Sequence, residues 1–313
     1  MMSKQLTTLS FVLILLCTIM LKTKACLNGE HLELTNGATL YVDRDYEVPE
    51  GHSFPEREHL LTMLHEMDSL YNATRDIGYL SDKGLLLIVL DRYQQAIALY
   101  LKIEKMQPNR YSTASNLGTV YELTGQNIKA LEWIKKSIEI DPKSHHQSEW
   151  IHVKILETKI KGDKQYTTQS LLGLDFGNGK LPISKMSKKE LETLRYSLYY
   201  QLNERMSFIK PQDKIVAQLL FDLGSVSMLL RWNKVASEVY KEAKRYGFSH
   251  PDLDFRIKES RRLYVKEVRA FNKAKAVKDE SNRLLYYRFA TLGLITIVGG
   301  VVYWRRVKIR RLR

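Results

Sequence analysis

The sequence predicts an all-α fold: a solenoid of helix–turn–helix repeats, preceded by a short N-terminal β-hairpin segment and followed by a C-terminal transmembrane helix. Three observations carry that prediction. Gly84, Ala96 and Pro108 recur as Gly118, Ala130 and Pro142, each 34 residues on, and a period of that length belongs to a stacked helical hairpin. The 12-residue step from Gly84 to Ala96 returns between Gly224 and Ala236. An uncharged run from Phe289 to Trp304 is followed at once by a cluster of Arg and Lys, the pattern of a membrane span with its basic side inside.

The spacing has a physical reading. Gly84 and Gly118 let helix B of a repeat cross close to helix A, and Ala96 and Ala130 are the small residues at that crossing. Tyr100 and Ile134 lie four residues further on, on the same helical face. Pro108 and Pro142 cannot continue a helix and mark the end of helix B. One such hairpin cannot bury its own apolar face, so neighbours stack and share a core. The second copy reads Ala114-x2-Leu117-Gly118-x2-Tyr121, then Ala130-x3-Ile134, then Pro142; the first reads Leu80-x2-Lys83-Gly84-x2-Leu87, then Ala96-x3-Tyr100, then Pro108. This pattern resembles the tetratricopeptide repeat (TPR) family over two clear repeats, with Lys83 where the family prefers Leu and Ile134 where it prefers an aromatic. The resemblance, which extends to bacterial TPR membrane proteins, implies an α-solenoid that binds other proteins.

Taken in order, residues 1–25 have the form of a signal peptide: Lys4, an apolar run from Phe11 to Leu21, and Thr23-Lys24-Ala25 before a cut. Cys26 follows the cut and leaves a lipidated or uncleaved anchor as the alternative. With Cys17 in the leader, one Cys remains and the fold relies on no internal disulfide. Residues 26–56 form a hairpin or cap segment, in which Leu32, Leu34, Leu40 and Val42 alternate around Asn36-Gly37. Repeats occupy 57–161: a degenerate one from Glu56, two clear ones near 77–110 and 111–144, and a third helix A from His145 to Lys161 with Trp150, Ile151 and Ile155 on its apolar side. An irregular insertion covers 162–186, anchored by Leu172, Leu174 and Phe176. Helices resume at 187–250, opened by a Ser187/Glu190 capping box and closed by a weaker repeat around Leu220, Leu223, Gly224, Ala236 and Tyr240. Residues 251–288 read as a charged helical stalk, 289–304 as the transmembrane helix flanked by Tyr and Trp, and 305–313 as a basic cytoplasmic tail.

Charge excludes one class of partner. The chain holds 49 basic and 35 acidic residues, a formal +14. Nine of the basic residues lie in 1–25 and 305–313; removing them leaves 40 against 35, so the excess belongs to the ends, where topology explains it, and nucleic acid is not the expected partner. Catalytic motifs are missing too. His65-Glu66 does not continue as a zinc-protease motif, because position 69 is Ser69. Gly-Asn-Gly-Lys at 177–180 lacks the spacing and hydroxyl of a phosphate loop. Glu149 and His152 stand at a metal-site spacing, but such sites need paired copies together with further carboxylates, and the pattern is not read as one. No metal, cofactor or catalytic residue is expected.

What remains is the repeat surface. In the TPR family the concave groove is lined by helix A. Carried over by register, that gives Ser112, Ser115, Thr119 and Glu122 from the second repeat and His146 and Glu149 from the third helix A. The first repeat offers Ser81, Leu85, Ile88 and Val89 there. Such a face suits an extended peptide or a partner helix; alternatively the insertion at 162–186 or the stalk fills it from within the chain. The functional expectation is a membrane-anchored protein-interaction scaffold or adaptor of the cell envelope, its bulk extracytoplasmic and its C-terminus cytoplasmic. An envelope enzyme, hydrolase-like and built on the 162–186 insertion, is the competing class.

Overall fold

The computed structural model describes residues 31–43, 47–162, 166–177 and 179–311. The expected signal peptide at 1–25 and Cys26 lie outside the described residues. The chain divides into two units, Met1–Ile257 and Lys258–Arg313.

The first unit opens with strands β1 (His31–Glu33) and β2 (Thr39–Val42), which pair antiparallel as His31↔Val42, Leu32↔Tyr41 and Glu33↔Thr39, with a bulge at Leu32/Glu33. The turn holds Gly37 at φ 82, where a side chain would be strained. Strict alternation of Leu32, Leu34, Leu40 and Val42 does not survive. The bulge turns Tyr41 inward and leaves Val42 exposed, as a register shift on one strand must.

The helices follow as α1 (Arg57–Thr74), α2 (Ile77–Val89), α3 (Tyr93–Met106), α4 (Tyr111–Leu123), α5 (Asn127–Ile140), α6 (Glu149–Ile160), α7 (Thr168–Leu172), α8 (Lys188–Phe208), α9 (Lys214–Leu229), α10 (Asn233–Arg245) and α11 (Leu253–Arg311). Helices α2–α3, α4–α5 and α9–α10 are the three hairpins that the Gly…Ala spacing predicts. A Cβ on Gly84 would stand 2.5 Å from the Tyr100 ring, one on Gly224 2.6 Å from the Tyr240 ring, and one on Gly118 would run into the Ile134 side chain. The glycine thus makes room for the residue four beyond the alanine, while Ala96, Ala130 and Ala236 are fully buried beside it. Tyr100 is fixed further, donating from its hydroxyl to the Ser81 carbonyl at 2.9 Å and accepting from Asn116 Nδ2 at 2.7 Å.

The three hairpins also turn in the same way. Asp91, Gly125 and Arg231, each seven residues after its glycine, adopt φ of 60, 75 and 64. The next residue then donates back across the turn: Arg92 to Leu87, Gln126 to Tyr121 and Trp232 to Ser227, each at 2.8 Å. This is the left-handed stop of a helix, repeated at one offset, and it places α9–α10 in the same class as the two clear copies.

One core joins the β-hairpin to the repeats. Leu32, Leu34, Leu40 and Tyr41 pack with Leu60, Met63, Leu64 and Met67 of α1 and with the buried faces of α2–α5. Burial of such apolar area is the main source of stability. Helix α8 starts at the predicted capping box, with Glu190 N donating to Ser187 Oγ and Ser187 N to Glu190 Oε2.

The third helix A departs from expectation. It begins at Glu149, because His145, His146 and Gln147 all take left-handed φ values of 46, 50 and 62. Trp150 is exposed, while Ile151 and Ile155 are buried as predicted. The insertion carries α7 and rests on α6 and α9 through Thr158 Oγ1 to the Ser170 carbonyl and Thr168 Oγ1 to Asp222 Oδ1. Arg256 holds its far end by donating to the Gly179 and Lys180 carbonyls.

In the second unit α11 continues as an uninterrupted helix to Arg311, with Val268, Phe271, Val277, Leu284 and Leu285 exposed along it. Among the described residues no helix is long and apolar enough to cross a membrane. The run 289–304 is helical, but most of its side chains and those of the basic tail lie outside the described residues.

Candidate functional site

Four of the six residues expected to line the groove, Ser112, Ser115, Thr119 and Glu122, lie on α4. Ser112, Ser115 and Glu122 are buried, however, as is Glu149 on α6; Thr119 is half-buried and His146 exposed. The reason is α8. The C-terminal half of this helix lies against the groove, enclosing a small cavity lined by Leu85, Ile88, Ser115, Asn116, Thr119 and Glu122 on the repeat side and by Gln201, Glu204, Arg205 and Phe208 on the α8 side. This side of α4 is therefore covered by the chain's own helix Lys188–Phe208.

Charge holds the two sides together. Arg205 of α8 meets Glu122 of α4 with two parallel bonds, Nη1 to Oε1 at 2.7 Å and Nη2 to Oε2 at 3.1 Å, the bidentate geometry that suits guanidinium to carboxylate. Lys159 Nζ reaches Glu122 Oε1 at 2.6 Å and His152 Nε2 lies 2.7 Å from Oε2. Three cations thus converge on one buried carboxylate. Burial alone would raise the Glu122 pKa, but Arg205, His152 and Lys159 outweigh it and hold the carboxyl well below its ordinary range.

From Glu122 the network runs on as an alternation of acid and imidazole. His152 Nδ1 stands 3.4 Å from Glu149 Oε2, Glu149 Oε1 meets His145 Nδ1, and His145 Nε2 stands 3.5 Å from Glu204 Oε1 on α8. Desolvation disfavours charge on His152, yet Glu122 and Glu149 on either side raise its pKa. Glu149 is likewise pushed up by burial and brought down, on balance, by His145 and His152. Glu204 goes the other way. Burial, reinforced by the Glu149 charge, lifts it to about 7 against the opposing pull of His145, His152 and Arg205. Two carboxylates of one cluster therefore differ in protonation near neutrality.

The left-handed turn 145–147 delivers His145 into this chain. It is backed by His146, whose ring meets Tyr196 and Tyr200 of α8 at 4.9 Å, and by Ser148 Oγ donating to the His145 carbonyl at 2.6 Å. Non-glycine residues seldom adopt such φ values, and three in succession mark a locally strained segment that the surrounding contacts impose.

The N-terminal segment clamps α8 from the outside. Glu50 N and Gly51 N donate to Asn203 Oδ1, His52 N to Ser207 Oγ, and Asn203 Nδ2 to Asp43 Oδ2. Arg195 Nη2 donates to the Glu47 carbonyl and its guanidinium lies 4.0 Å over the Trp232 ring. Gly51, at φ 86, passes so close to the Met206–Ser207 backbone that a Cβ would stand 2.8 Å from it. Residues 47–54 therefore act as a strap, a role with no local sequence signal.

Among the described residues, no cluster of three or more His, Cys, Asp or Glu is arranged to hold a metal ion. The acids and histidines of the groove instead neutralise one another. Sequence reasoning proposed Glu122 and Glu149 and weighed His152 only as a metal partner of Glu149, while His145, Lys159, Glu204 and Arg205 were not proposed. His145, His152 and Lys159 were readable as neighbours on the third helix A; Glu204 and Arg205 sit more than 80 residues from Glu122 and carry no motif.

Residues 112–144 match the tetratricopeptide repeat family model, so the second copy is a TPR. No curated protein matches the chain. Among solved structures, a tetratricopeptide repeat protein from Parabacteroides merdae is similar at 12% identity, covering 65% of this chain and 78% of that one with a TM-score of 0.32; a likeness that loose adds no argument to the repeat itself.

Proposed function

We propose that this protein is a membrane-anchored TPR scaffold of the cell envelope whose repeat groove takes a helix, and that α8 is the resident occupant. TPR repeats suggest protein–protein interaction, and one observation supports the finer reading: Arg205 of α8 forms a buried Arg–carboxylate fork with Glu122 of the helix A in the second repeat. A groove that accepts its own helix has the shape and charge to accept another. Ser112, Ser115, Thr119, Glu122, His146 and Glu149 are then the partner-facing residues once α8 moves, with Thr119 and His146 accessible before it does.

The membrane part of the proposal rests on the sequence at both ends: the leader-like 1–25, the uncharged 289–304 and the basic 305–313. Repeats outside the cytoplasm and a cytoplasmic C-terminus follow. Alkaline phosphatase fused after residue 285 is expected to be active and fused after Arg313 inactive; the reverse result overturns the topology. For the binding reading, a photo-cross-linker at His146, on the groove rim, is expected to capture protein in native membranes, whereas one at Glu139, on the outer face of α5, is not. Equal capture at both positions would remove the groove from the proposal.

The enzymatic alternative has one observation in its favour, the acids and histidines around the cavity. That cavity measures about 40 Å³, well under the ~150 Å³ that admits benzene. The shallow groove at the insertion is lined by Asp175, Ser184, Lys185 and Glu190 and, among the described residues, by no His. Catalysis in the cavity would require a rearrangement as large as the release of α8.

A further inference from the structure

Beyond Ile257, α11 runs on as one helix through the charged stretch and into the uncharged run. Val268, Phe271, Leu285 and Phe289 are 37%, 69%, 53% and 66% exposed along it. We propose that this helix pairs with the same helix of a second copy of the chain, in parallel and in register, so that the protein is a dimer joined at its stalk.

The spacing points to a like helix as the partner. Tyr264, Val268, Phe271, Leu285 and Phe289 fall on one row of alternating four- and three-residue steps, with Lys275, Lys278 and Asn282 filling the steps between Phe271 and Leu285. A mean step of about 3.5 residues is the seam of a coiled pair, where each side chain enters a hole on a neighbour that follows the same repeat. Length agrees with this. From Lys258 to Arg288 the helix rises about 45 Å, and a second copy supplies a helix to match. Pairs within the helix, such as Arg262 with Glu259, stabilise a lone helix only weakly. Packing of an apolar face is the larger source of helical stability.

The polar middle of the row sets orientation and register. Asn282 stands at the position where an Asn meets its counterpart across a parallel pair and penalises other registers. Lys278 is followed by Asp279. In a parallel pair the residue after this seam position flanks the other copy's seam, so each Lys278 meets the opposite Asp279, twice by symmetry. Lys275 faces its own counterpart; Ala274 beside it is small and leaves the lysine stem room to carry its charge outward. The pairing rests on the membrane reading above for one point only, that two copies anchored by the same end lie parallel. Val277 and Leu284, also exposed and seven residues apart, lie to one side of this row and mark the competing seam.

The test is a set of single cysteines in the full chain, with Cys17 and Cys26 replaced by Ser, treated in native membranes with a short bismaleimide and read as covalent dimer on a denaturing gel. A tagged and an untagged chain made together identify both halves of the product. Dimer is expected from Val268→Cys, Phe271→Cys, Asn282→Cys and Leu285→Cys, and its loss from Arg269→Cys, Lys273→Cys and Glu280→Cys on the far side of the helix. No dimer at any position, as for a lone or antiparallel helix, overturns the proposal. So does equal dimer at both sets, the mark of random collision, or a product that joins the chain to a different protein. Dimer from Val277→Cys and Leu284→Cys in place of Val268→Cys and Phe271→Cys overturns this seam. Should the phosphatase fusions contradict the topology, the same series is read on the protein in solution, so failure of the membrane reading and failure of the pairing are separate results.

Discussion

Replacing Glu122 by Gln isolates the charge that the groove is built around. The side chain keeps its shape and can still accept from Arg205, but its negative charge is gone. Arg205 then sits with 6% of its side chain exposed and no facing carboxylate. Removing one partner of a buried ion pair costs about 3–5 kcal/mol, because the other charge remains desolvated. Two of the three cations can escape that cost. His152 can release its proton, and Lys159, with 21% of its side chain exposed, can turn to water. Arg205 can do neither, since a guanidinium stays charged at any accessible pH. Partial relief comes from Glu204, which lies beside Arg205 and gains a reason to ionise. The expected loss is therefore near the low end, about 3 kcal/mol, a large share of the ~5–15 kcal/mol that stabilises an ordinary domain. Urea unfolding at pH about 6 reads it as a lower midpoint with an unchanged slope. Arg205→Gln in the same background should recover part of the loss, because the unpaired cation goes with it. A Glu122→Gln change below about 1 kcal/mol, the range of a surface pair, would refute the claim that this ion pair is buried under α8.

Three other outcomes follow from the same structure. Gly118→Ala should destabilise by about 1–3 kcal/mol, because its Cβ would meet the Ile134 side chain and lie 3.3 Å from the Ile134 backbone nitrogen; thermal unfolding at the wild-type temperature would contradict the hairpin crossing. Arg231→Gly should stabilise by up to about 1 kcal/mol, since Arg231 holds φ 64 at a turn where Gly125 serves in the second repeat; a loss of that size would show that Arg231 has contacts outweighing its strain. The third concerns pH. Glu204 and Asp222, both raised to about 7 by burial, bind protons more tightly folded than unfolded, so stability falls as pH rises from their unfolded values near 4 through 7. His152, also raised, contributes stability below about 6.5 that is lost as pH passes its folded value. Glu122 and Glu149, both depressed, contribute stability that is lost only on acidification below about 4.5. A melting-temperature maximum between pH about 4 and 5 is expected from these groups, and a maximum above pH 8 would contradict these protonation states.

The repeats were legible because their signal is local and periodic. Gly, Ala and Pro at fixed offsets are demanded by one helix crossing, and the degenerate copy at Gly224 and Ala236 could be found from two residues because the same crossing recurs there. Its turn was not legible, since Asp91, Gly125 and Arg231 share a backbone conformation and not a residue type. The helix A positions were legible as well: Ser112, Ser115, Thr119 and Glu122 all lie on α4. What covers them was not, because α8 has only a capping box and a mixed polar face to announce it, and the contacts that seat it are long-range pairs such as Arg205 with Glu122 and Asn203 with the Glu50–Gly51 backbone. His145 was misplaced for a different reason. Its left-handed turn sits among long-range contacts, His145 with Glu149 and Glu204 and His146 with Tyr196 and Tyr200, and propensity alone would have continued the helix through it.

The central claim is that the repeat groove is filled by the chain's own helix Lys188–Phe208. A cysteine pair at Thr119 and Gln201, in a chain whose Cys17 and Cys26 are replaced by Ser, tests it most directly, because both positions line the enclosed cavity from opposite sides. A short bifunctional maleimide is expected to join them within one molecule in native protein at pH about 6, and not in urea. Efficient labelling of both cysteines without an intramolecular link, in folded protein, would show an open groove and contradict the account.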